Sequence, residues 1–194
     1  KGLDYRSVPV NLIRDGGEQR KPAYLALNPQ GRVPMLCSEE GARLIQSPAI
    51  IEYLEERYPE PRLLPTDLLA RARHRAVAAL IGCDIQPLHN SAVLNHLRGL
   101  QVAEDDVQAW IAHWLGEGLR AVEALIGDEG FCFGEPGLAD VYLLPQLYAA
   151  RRFNIDLCKF WLTIRTQIFI TKTFHDLVIA VVTSHHQQLF EQLR

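Results

Sequence analysis

The chain has 194 residues, of which 48% are hydrophobic and 22% are charged, and its formal net charge is −3. This composition is ordinary for a globular protein with one large or two small domains, and it excludes disorder as the main state. The small net charge gives no reason to expect nucleic acid or an acidic membrane as a partner.

The first thirty residues carry alternating strand and helix signals. Residues 5–10 alternate between polar and apolar side chains, which predicts a strand, and Pro9 favours the edge or the end of a sheet. Pro22 suits the first turn of a short helix that extends to Leu27. The order strand then helix is typical of an α/β domain.

A hairpin and a second helix are predicted next. Short strands at 35–37 and 43–45 flank a Glu-Gly turn, which is the pattern of an antiparallel hairpin. Ser47 is predicted to be the N-cap of a helix with Pro48 at its first position. The apolar residues of this helix recur at helical spacing: Ile50, Ile51, Leu54 and Tyr58. The proline-rich run 59–65 ends the helix and predicts a stiff linker between two domains.

Everything after the linker is predicted to be helical. Thr66–Asp67 can cap a long helix that Pro87 kinks or breaks near its middle. A helix over 104–126 has one broad apolar face, formed by Trp110, Ile111, Trp114, Leu115, Leu119, Val122 and Leu125. Gly137 is an acceptable cap for a further helix, and Asp140 in its first turn favours the positive helix end.

Cysteine and histidine spacing predicts neither disulfides nor a metal site. The four cysteines lie far apart without CxxC spacing: Cys37, Cys83, Cys132 and Cys158. We expect reduced cysteines that pack inside a cytosolic protein. The seven histidines form no HExxH or Cys/His ligand pattern. No apolar run approaches the ~20 residues needed to span a bilayer, and the residues given, which open with Lys1 rather than Met, contain no signal-peptide pattern.

Two local features could present backbone groups to a peptide-like ligand. Val33–Pro34 is either a simple turn or a cis-proline turn that exposes the Val33 N–H and C=O to an extended peptide. Gln46–Ser47 is either only a helix cap or a helix end whose free N–H groups and dipole favour a carboxylate. Each feature alone is weak evidence for a ligand site, but the two together, on either side of a hairpin, indicate glutathione as the ligand.

At this point a family resemblance becomes specific. The runs 28–34, 46–54, 61–65, 85–90 and 137–157 resemble the zeta class of glutathione transferases. The resemblance covers roughly the first 157 residues. It implies a cytosolic homodimer that binds glutathione and a small-molecule substrate, with no nucleic acid, membrane or metal.

The resemblance implies a fold class of α/β plus all-α. A thioredoxin-like, glutathione-binding domain is expected at 1–60, truncated so that it lacks its first strand and helix. A helical domain of the glutathione-transferase type follows at 66–194. In this class a Ser-Ser-Cys motif at the start of the first helix activates the thiol, and no such motif occurs here. The catalytic residue is therefore unknown.

The end of the chain departs from the family pattern. Residues 158–194 are basic and rich in β-branched side chains, notably in the run 177–183. That run predicts either a divergent helix or an aggregation-prone strand. Because the resemblance is lost abruptly, a change of reading frame or an alternative terminus is a hypothesis for this segment.

The implied reaction is the glutathione-dependent cis–trans isomerisation of maleylacetoacetate to fumarylacetoacetate in aromatic amino-acid catabolism. The thiolate adds to the double bond, the resulting single bond rotates, and elimination restores the thiol. Isomerisation of maleylpyruvate and a general zeta-class transfer to small α-halo acids are alternatives. An alternative from another class is a non-catalytic glutathione-binding or interaction module.

Site residues follow by position in the family motifs. In the first domain they are Gln19, Val33, Gln46 and Ser47, which are expected to hold glutathione. In the second domain the expected glutathione ligands are Gln86, Asn90 and Ser91. Arg152 is the candidate for binding a substrate carboxylate, and the alternative is a surface arginine near a helix end.

Overall fold

The computed structural model describes residues 1–128, 130–160, 163 and 166. They divide into two compact units, the first over Lys1–Arg62 and the second beginning at Leu63. The predicted domain bounds, 1–60 and 66–194, stay a prediction because much of the second range lies outside the described residues. The run 177–183 lies outside them as well.

A two-stranded antiparallel hairpin forms the centre of the first unit. Strand β1 (Met35–Cys37) pairs with β2 (Arg43–Ile45), and the two are the strands that the described residues contain. The Ser38 N–H donates to the Ala42 carbonyl at 2.9 Å and closes the turn. Gly41 has φ +85°, a conformation that glycine adopts freely. The predicted hairpin is confirmed at the predicted residues.

Two helices flank the hairpin in sequence, α1 (Pro22–Leu25) and α2 (Ser47–Arg57). The prediction that Ser47 is the N-cap is wrong by one residue. Gln46 is the N-cap, because its carbonyl accepts the first helical bond from the Ile50 N–H at 3.0 Å. Gln46 has φ +72°, which turns the chain directly from β2 into the helix. Ser47 is therefore already helical, and no side chain caps α2.

The strand predicted at 5–10 is wrong, since these residues form no strand. Tyr5 and Val8 are 73% and 67% exposed, so neither face of the segment is covered. A strand needs a neighbour that pairs with its backbone groups, and β1 and β2 pair with each other in the described residues. Pro9 also lacks the N–H that a ladder requires.

The second unit is built from helices. Its elements in chain order are α3 (Leu68–Ala79), a π-helical segment (Leu80–Ile85), a 3-10 turn (Gln86–His89), α4 (Ser91–Gly99), α5 (Glu104–Leu125), α6 (Leu138–Arg152) and a 3-10 turn (Leu157–Lys159). Of the predicted capping pair Thr66–Asp67, Asp67 caps α3 by accepting the Ala70 N–H at 2.8 Å. The break predicted at Pro87 takes the form of the π-helical segment and the 3-10 turn that follows it.

Helix α5 lies at the centre of the core of this unit. Its fully buried residues recur every three or four positions: Val107, Ile111, Leu115, Leu119 and Val122. The predicted apolar face is partly wrong, because Trp114 and Leu125 are 36% and 52% exposed. These two residues lie at the margins of the buried stripe rather than on it.

Asp140 joins the start of α6 to the loop before it. Its Oδ2 accepts the Gly137 N–H at 2.9 Å, and its Oδ1 accepts the Cys132 N–H at 2.8 Å. Burial raises the pKa of Asp140, while the bonds from the two backbone N–H groups oppose that rise. The predicted helix start at Gly137 is confirmed, and the Asp140 side chain accepts the N–H of this N-cap residue.

All four cysteines are free thiols, but the packing role predicted for them holds for one. Cys132 is buried, whereas Cys37, Cys83 and Cys158 are exposed. The average burial of cysteine does not say which face of an element a given cysteine occupies. Across the described part of the chain, no cluster of His, Cys, Asp and Glu could hold a metal ion. None of its helices is both long enough and apolar enough to cross a membrane.

Candidate functional site

The Val33–Pro34 peptide bond is cis, the geometry that the second of its two interpretations requires. The loop before it is fixed by Tyr24 and Asn28, whose Oη and Nδ2 atoms each donate to the Arg32 carbonyl at 2.7 Å. No described residue pairs with the N–H or the C=O of Val33. The backbone of this residue is therefore available to an extended peptide.

Gln46 connects the start of α2 to the same loop. Its Nε2 donates to Gln30 Oε1, and the Gln30 N–H donates to Asn28 Oδ1 at 3.1 Å. The structure thus brings the Val33 loop and the Gln46–Ser47 pair together, as the hypothesis of one shared site requires. The left-handed backbone of Gln46 is the kind of strained conformation that concentrates at binding sites.

The first turn of α2 offers donors that have no partner among the described residues. Pro48 has no N–H, so the free backbone donors of this turn are those of Ser47 and Ala49. The Ser47 hydroxyl is free as well, because it does not cap the helix. Two N–H groups, a hydroxyl and the positive helix end suit a carboxylate.

Gln19 borders this site with its backbone, and its side chain points into the protein. It is 8% exposed, and its Nε2 donates to the Leu12 carbonyl at 3.4 Å. Its Oε1 is buried and has no hydrogen-bond partner among the described residues. A Cβ on Gly31 would lie 3.1 Å from the Gln19 carbonyl, so the two backbones are in contact. The role of the Gln19 amide as a glutathione ligand stays a prediction.

In the second unit, the predicted glutathione ligands lie on the turn that leads into α4. Gln86 opens the 3-10 turn and is exposed, and Ser91 is the exposed first residue of α4. Asn90 caps α4, because its Oδ1 accepts the Ala92 N–H at 3.0 Å. That bond leaves the Asn90 Nδ2 as a donor for a ligand. These three roles stay predictions.

Two contacts that the sequence did not reveal hold this turn. Trp110 on α5 donates its Nε1–H to the Leu88 carbonyl at 2.8 Å. The His89 ring faces the amide of Gln146 on α6, with its Nε2 2.9 Å from the amide nitrogen and 3.2 Å from the amide oxygen. Gln146 is polar, buried and placed among apolar residues of α6, which is the signal that could have identified it.

Arg152 is the last residue of α6 and is exposed. Its guanidinium carbon lies over the Phe153 ring, 5.0 Å from the centroid. The Phe153 ring in turn meets the His89 ring edge-on at 5.6 Å. The structure therefore brings Arg152 close to the turn of Gln86–His89. Its exposure is compatible with both interpretations of Arg152, so the substrate role stays a prediction.

The surroundings of the His89 ring lower its pKa overall. Burial lowers the pKa of His89, the hydrogen bond with Gln146 raises it, and the positive charge of Arg152 lowers it further. The fixed positive charge next to this ring is thus that of Arg152. An exposed cation at this position suits an anionic ligand such as a carboxylate.

Similarity to known proteins identifies the family. Residues 1–62 match the model of the glutathione S-transferase N-terminal domain. Over 158 residues the chain is 71% identical to a maleylacetoacetate isomerase of Pseudomonas aeruginosa, covering 81% of this chain and 74% of that protein. A solved maleylpyruvate isomerase, described as a zeta-class bacterial glutathione S-transferase, is 43% identical to this chain and superposes on it with a TM-score of 0.83. The match covers 88% of this chain and 82% of the solved chain. The chain belongs to the zeta class of glutathione S-transferases.

Membership of the zeta class confirms the predicted fold class. An N-terminal thioredoxin-like domain, of which the described residues contain two strands, precedes a helical domain. A maleylacetoacetate isomerase of Anaeromyxobacter dehalogenans, solved with glutathione in its active site, is 42% identical with a TM-score of 0.69. That match covers 77% of this chain and 71% of the other.

Proposed function

We propose that this zeta-class protein is a glutathione-dependent isomerase that converts maleylacetoacetate to fumarylacetoacetate. The observation that carries the proposal is the 71% identity to the maleylacetoacetate isomerase of P. aeruginosa over 158 residues. The free backbone of Val33 and the free donors at the start of α2 support glutathione as the cofactor.

The first unit supplies a peptide-binding surface of the right chemistry. The Val33 N–H and C=O pair with the extended backbone of glutathione, as an added strand would. The N–H groups of Ser47 and Ala49 and the Ser47 hydroxyl bind one of its carboxylates. Gln46 adds a side-chain contact, and Gln19 reaches the ligand if its inward amide turns. In the second unit, further contacts come from Gln86, Asn90 and Ser91.

The reaction needs a thiolate and a cation for the substrate. The glutathione thiolate adds to the cis double bond, which leaves a carbanion that is stabilised by the adjacent carbonyl group. The carbon–carbon bond is then single and rotates. Elimination breaks the carbon–sulfur bond and restores both the thiolate and the double bond, now trans. Arg152 binds a substrate carboxylate and keeps that end of the molecule fixed. None of the described residues is assigned to thiol activation.

The deciding experiment is a turnover assay with maleylacetoacetate and glutathione. The proposal expects loss of the cis substrate at a constant concentration of free thiol, because glutathione is regenerated. Maleylpyruvate is the second substrate to test, because the 43% identical solved structure is a maleylpyruvate isomerase. Consumption of thiol with an α-halo acid would instead indicate a general transferase. Retention on glutathione resin with no turnover of any substrate would indicate a non-catalytic binding module.

We also propose that the protein is a cytoplasmic homodimer. Membership of the zeta class supports this proposal. Sedimentation velocity of the purified protein checks the oligomeric state, and a mass of a single 21.9 kDa chain would contradict it. Fractionation of cells checks the compartment.

A further inference from the structure

The turn that carries Gln86 is attached to α6 by His89. Its ring lies with Nε2 2.9 Å from the Gln146 amide nitrogen and 3.2 Å from the amide oxygen, so a hydrogen bond joins the ring to this amide. Gln146 is buried, with 3% of its surface exposed. A buried amide that is fixed by α6 therefore sets the orientation of the imidazole ring.

The oriented His89 ring contacts the Phe153 ring, over which the Arg152 guanidinium lies. The His89 and Phe153 rings meet at 63° with their centroids 5.6 Å apart, which is the edge-to-face geometry that aromatic pairs prefer. The Arg152 guanidinium lies over that same Phe153 ring at 5.0 Å, within the range of a cation–π contact. His89 thus limits where Phe153 can lie, and Phe153 limits where the guanidinium can lie.

Charge favours the same arrangement. Burial and the nearby positive charge of Arg152 both lower the pKa of His89. The lowered pKa favours the neutral ring, which neither repels the guanidinium nor competes with it for an anion. Arg152 therefore remains the group that faces a carboxylate, and His89 acts by contact alone.

We propose that His89 is a positioning residue that acts through Phe153 to hold the Arg152 guanidinium where it binds the carboxylate of the substrate. This inference rests on the proposed function of Arg152. Three successive contacts in the second unit carry the effect. Gln146 contacts His89, His89 contacts Phe153, and Phe153 contacts Arg152. The binding of an anionic substrate then depends on a residue that does not touch it.

The test is a double-mutant cycle with malonate, a small dicarboxylate, titrated by calorimetry into the full-length, glutathione-loaded protein. Arg152→Ala is expected to weaken malonate binding about tenfold, as the loss of one charge-assisted contact does. His89→Ala is expected to weaken it about three- to tenfold. In the Arg152→Ala background, His89→Ala is expected to change the affinity by less than about twofold, because contacting residues are coupled.

Further variants separate positioning from a general loss of structure. Phe153→Leu interrupts the same path beyond His89 and is expected to show the same coupling to Arg152→Ala. His113→Ala on α5 removes a histidine whose ring instead contacts Trp114, with a centroid distance of 4.9 Å, and is expected to leave malonate affinity unchanged. Thermal unfolding with glutathione present checks that each variant is folded.

The outcomes distinguish the two proposals. If Arg152→Ala leaves malonate affinity unchanged, the assignment of Arg152 fails and the positioning role of His89 fails with it. If Arg152→Ala weakens binding but the effects of His89→Ala and Arg152→Ala are additive, only the role of His89 is overturned. An unchanged affinity in folded His89→Ala protein also overturns that role.

Discussion

The two units of the molecule hold their shape by different means. Among the described residues of the first unit, Ile50 is the one hydrophobic residue that is buried. In the second unit, the buried hydrophobic residues extend from Leu64 to Phe160 and centre on α5. Apolar burial is the main favourable term in folding, so we expect the second unit to carry most of the stability.

The first unit depends more on polar contacts. Lys1 is tied down by its Nζ, which lies 2.6 Å from Glu55 Oε2 and 2.7 Å from the Pro61 carbonyl. The large apolar residues of the first unit that are exposed are Leu3, Tyr5, Val8, Leu12, Ile13, Leu25, Leu27 and Tyr58. The backbone of Val33 and Ser47 is therefore set by hydrogen bonds and turn geometry, whereas the turn of Gln86–His89 lies against a packed core.

The largest expected difference in stability between the two units comes from a pair of leucine truncations. Leu119 on α5 is fully buried, and Leu119→Ala is expected to lower the free energy of unfolding by about 2–5 kcal/mol because it leaves a cavity. Leu25→Ala in the first unit removes a side chain that is 38% exposed and is expected to cost about 1 kcal/mol or less. Urea unfolding measures both, and equal losses would contradict the contrast.

A second test compares two aspartates that both accept backbone N–H groups in the helical unit. Asp140→Ala leaves the Cys132 and Gly137 N–H groups without their acceptor in a buried region, and should cost about 2–3 kcal/mol. Asp67→Ala removes an exposed cap of α3 and should cost about 1 kcal/mol. Unfolding midpoints decide the order, and a larger loss for Asp67→Ala would show that burial does not set it.

Backbone strain in the first unit gives a smaller effect. Because Gln46 has φ +72°, Gln46→Gly is expected to be more stable than Gln46→Ala by about 1 kcal/mol. Both variants lose the bond to Gln30, so the difference isolates the backbone. Gln101, with φ +62° at the end of α4, is the matched position in the second unit and should show the same preference for glycine over alanine. Equal stability of the two Gln46 variants would contradict the strain.

The smallest expected effect is a pH dependence in the second unit. Burial lowers the pKa of His74 below its usual value of 6.5, and the Asp140 charge opposes the shift. As the pH falls through about 6.5, the unfolded chain gains a proton that the folded protein resists, so stability falls. His74→Asn should therefore lose less stability than the parent protein between about pH 7.5 and 5.5.

His113→Asn is the control for that comparison, because this exposed histidine lies on the same unit at α5. The same substitution there removes an exposed imidazole instead of a buried one. Urea unfolding at both pH values gives the comparison. If His74→Asn loses as much stability as the parent protein, the buried ring is not the source of the pH dependence.

Local patterns in the sequence predicted the elements whose geometry is local. The hairpin followed from two short apolar runs around a Glu-Gly turn, and the start of α6 followed from Gly137 and Asp140 three residues apart. The cis bond at Val33–Pro34 was one of two interpretations, and its sequence separation from Gln46 indicated a shared site. The resemblance to the zeta class supplied the fold class and the reaction.

What sequence reasoning missed depends on distant contacts. A strand at 5–10 requires a partner that its own alternation cannot supply. The one-residue error at Ser47 arose because a non-glycine residue, Gln46, takes a left-handed backbone. His89 and Gln146 are 57 positions apart in the chain, so no local pattern indicates that they meet.

The π-helical segment Leu80–Ile85 makes the orientation of Gln86 sensitive to insertions and deletions in the helix before it. A π-turn holds one residue more than an α-turn, so such segments behave as single-residue insertions into a regular helix. Each residue of an α-helix rotates the chain by about 100°, and deleting Gly82 would turn Gln86 by that angle about the helix axis. The direction in which Gln86 points from the turn therefore depends on the number of residues in the helix before it.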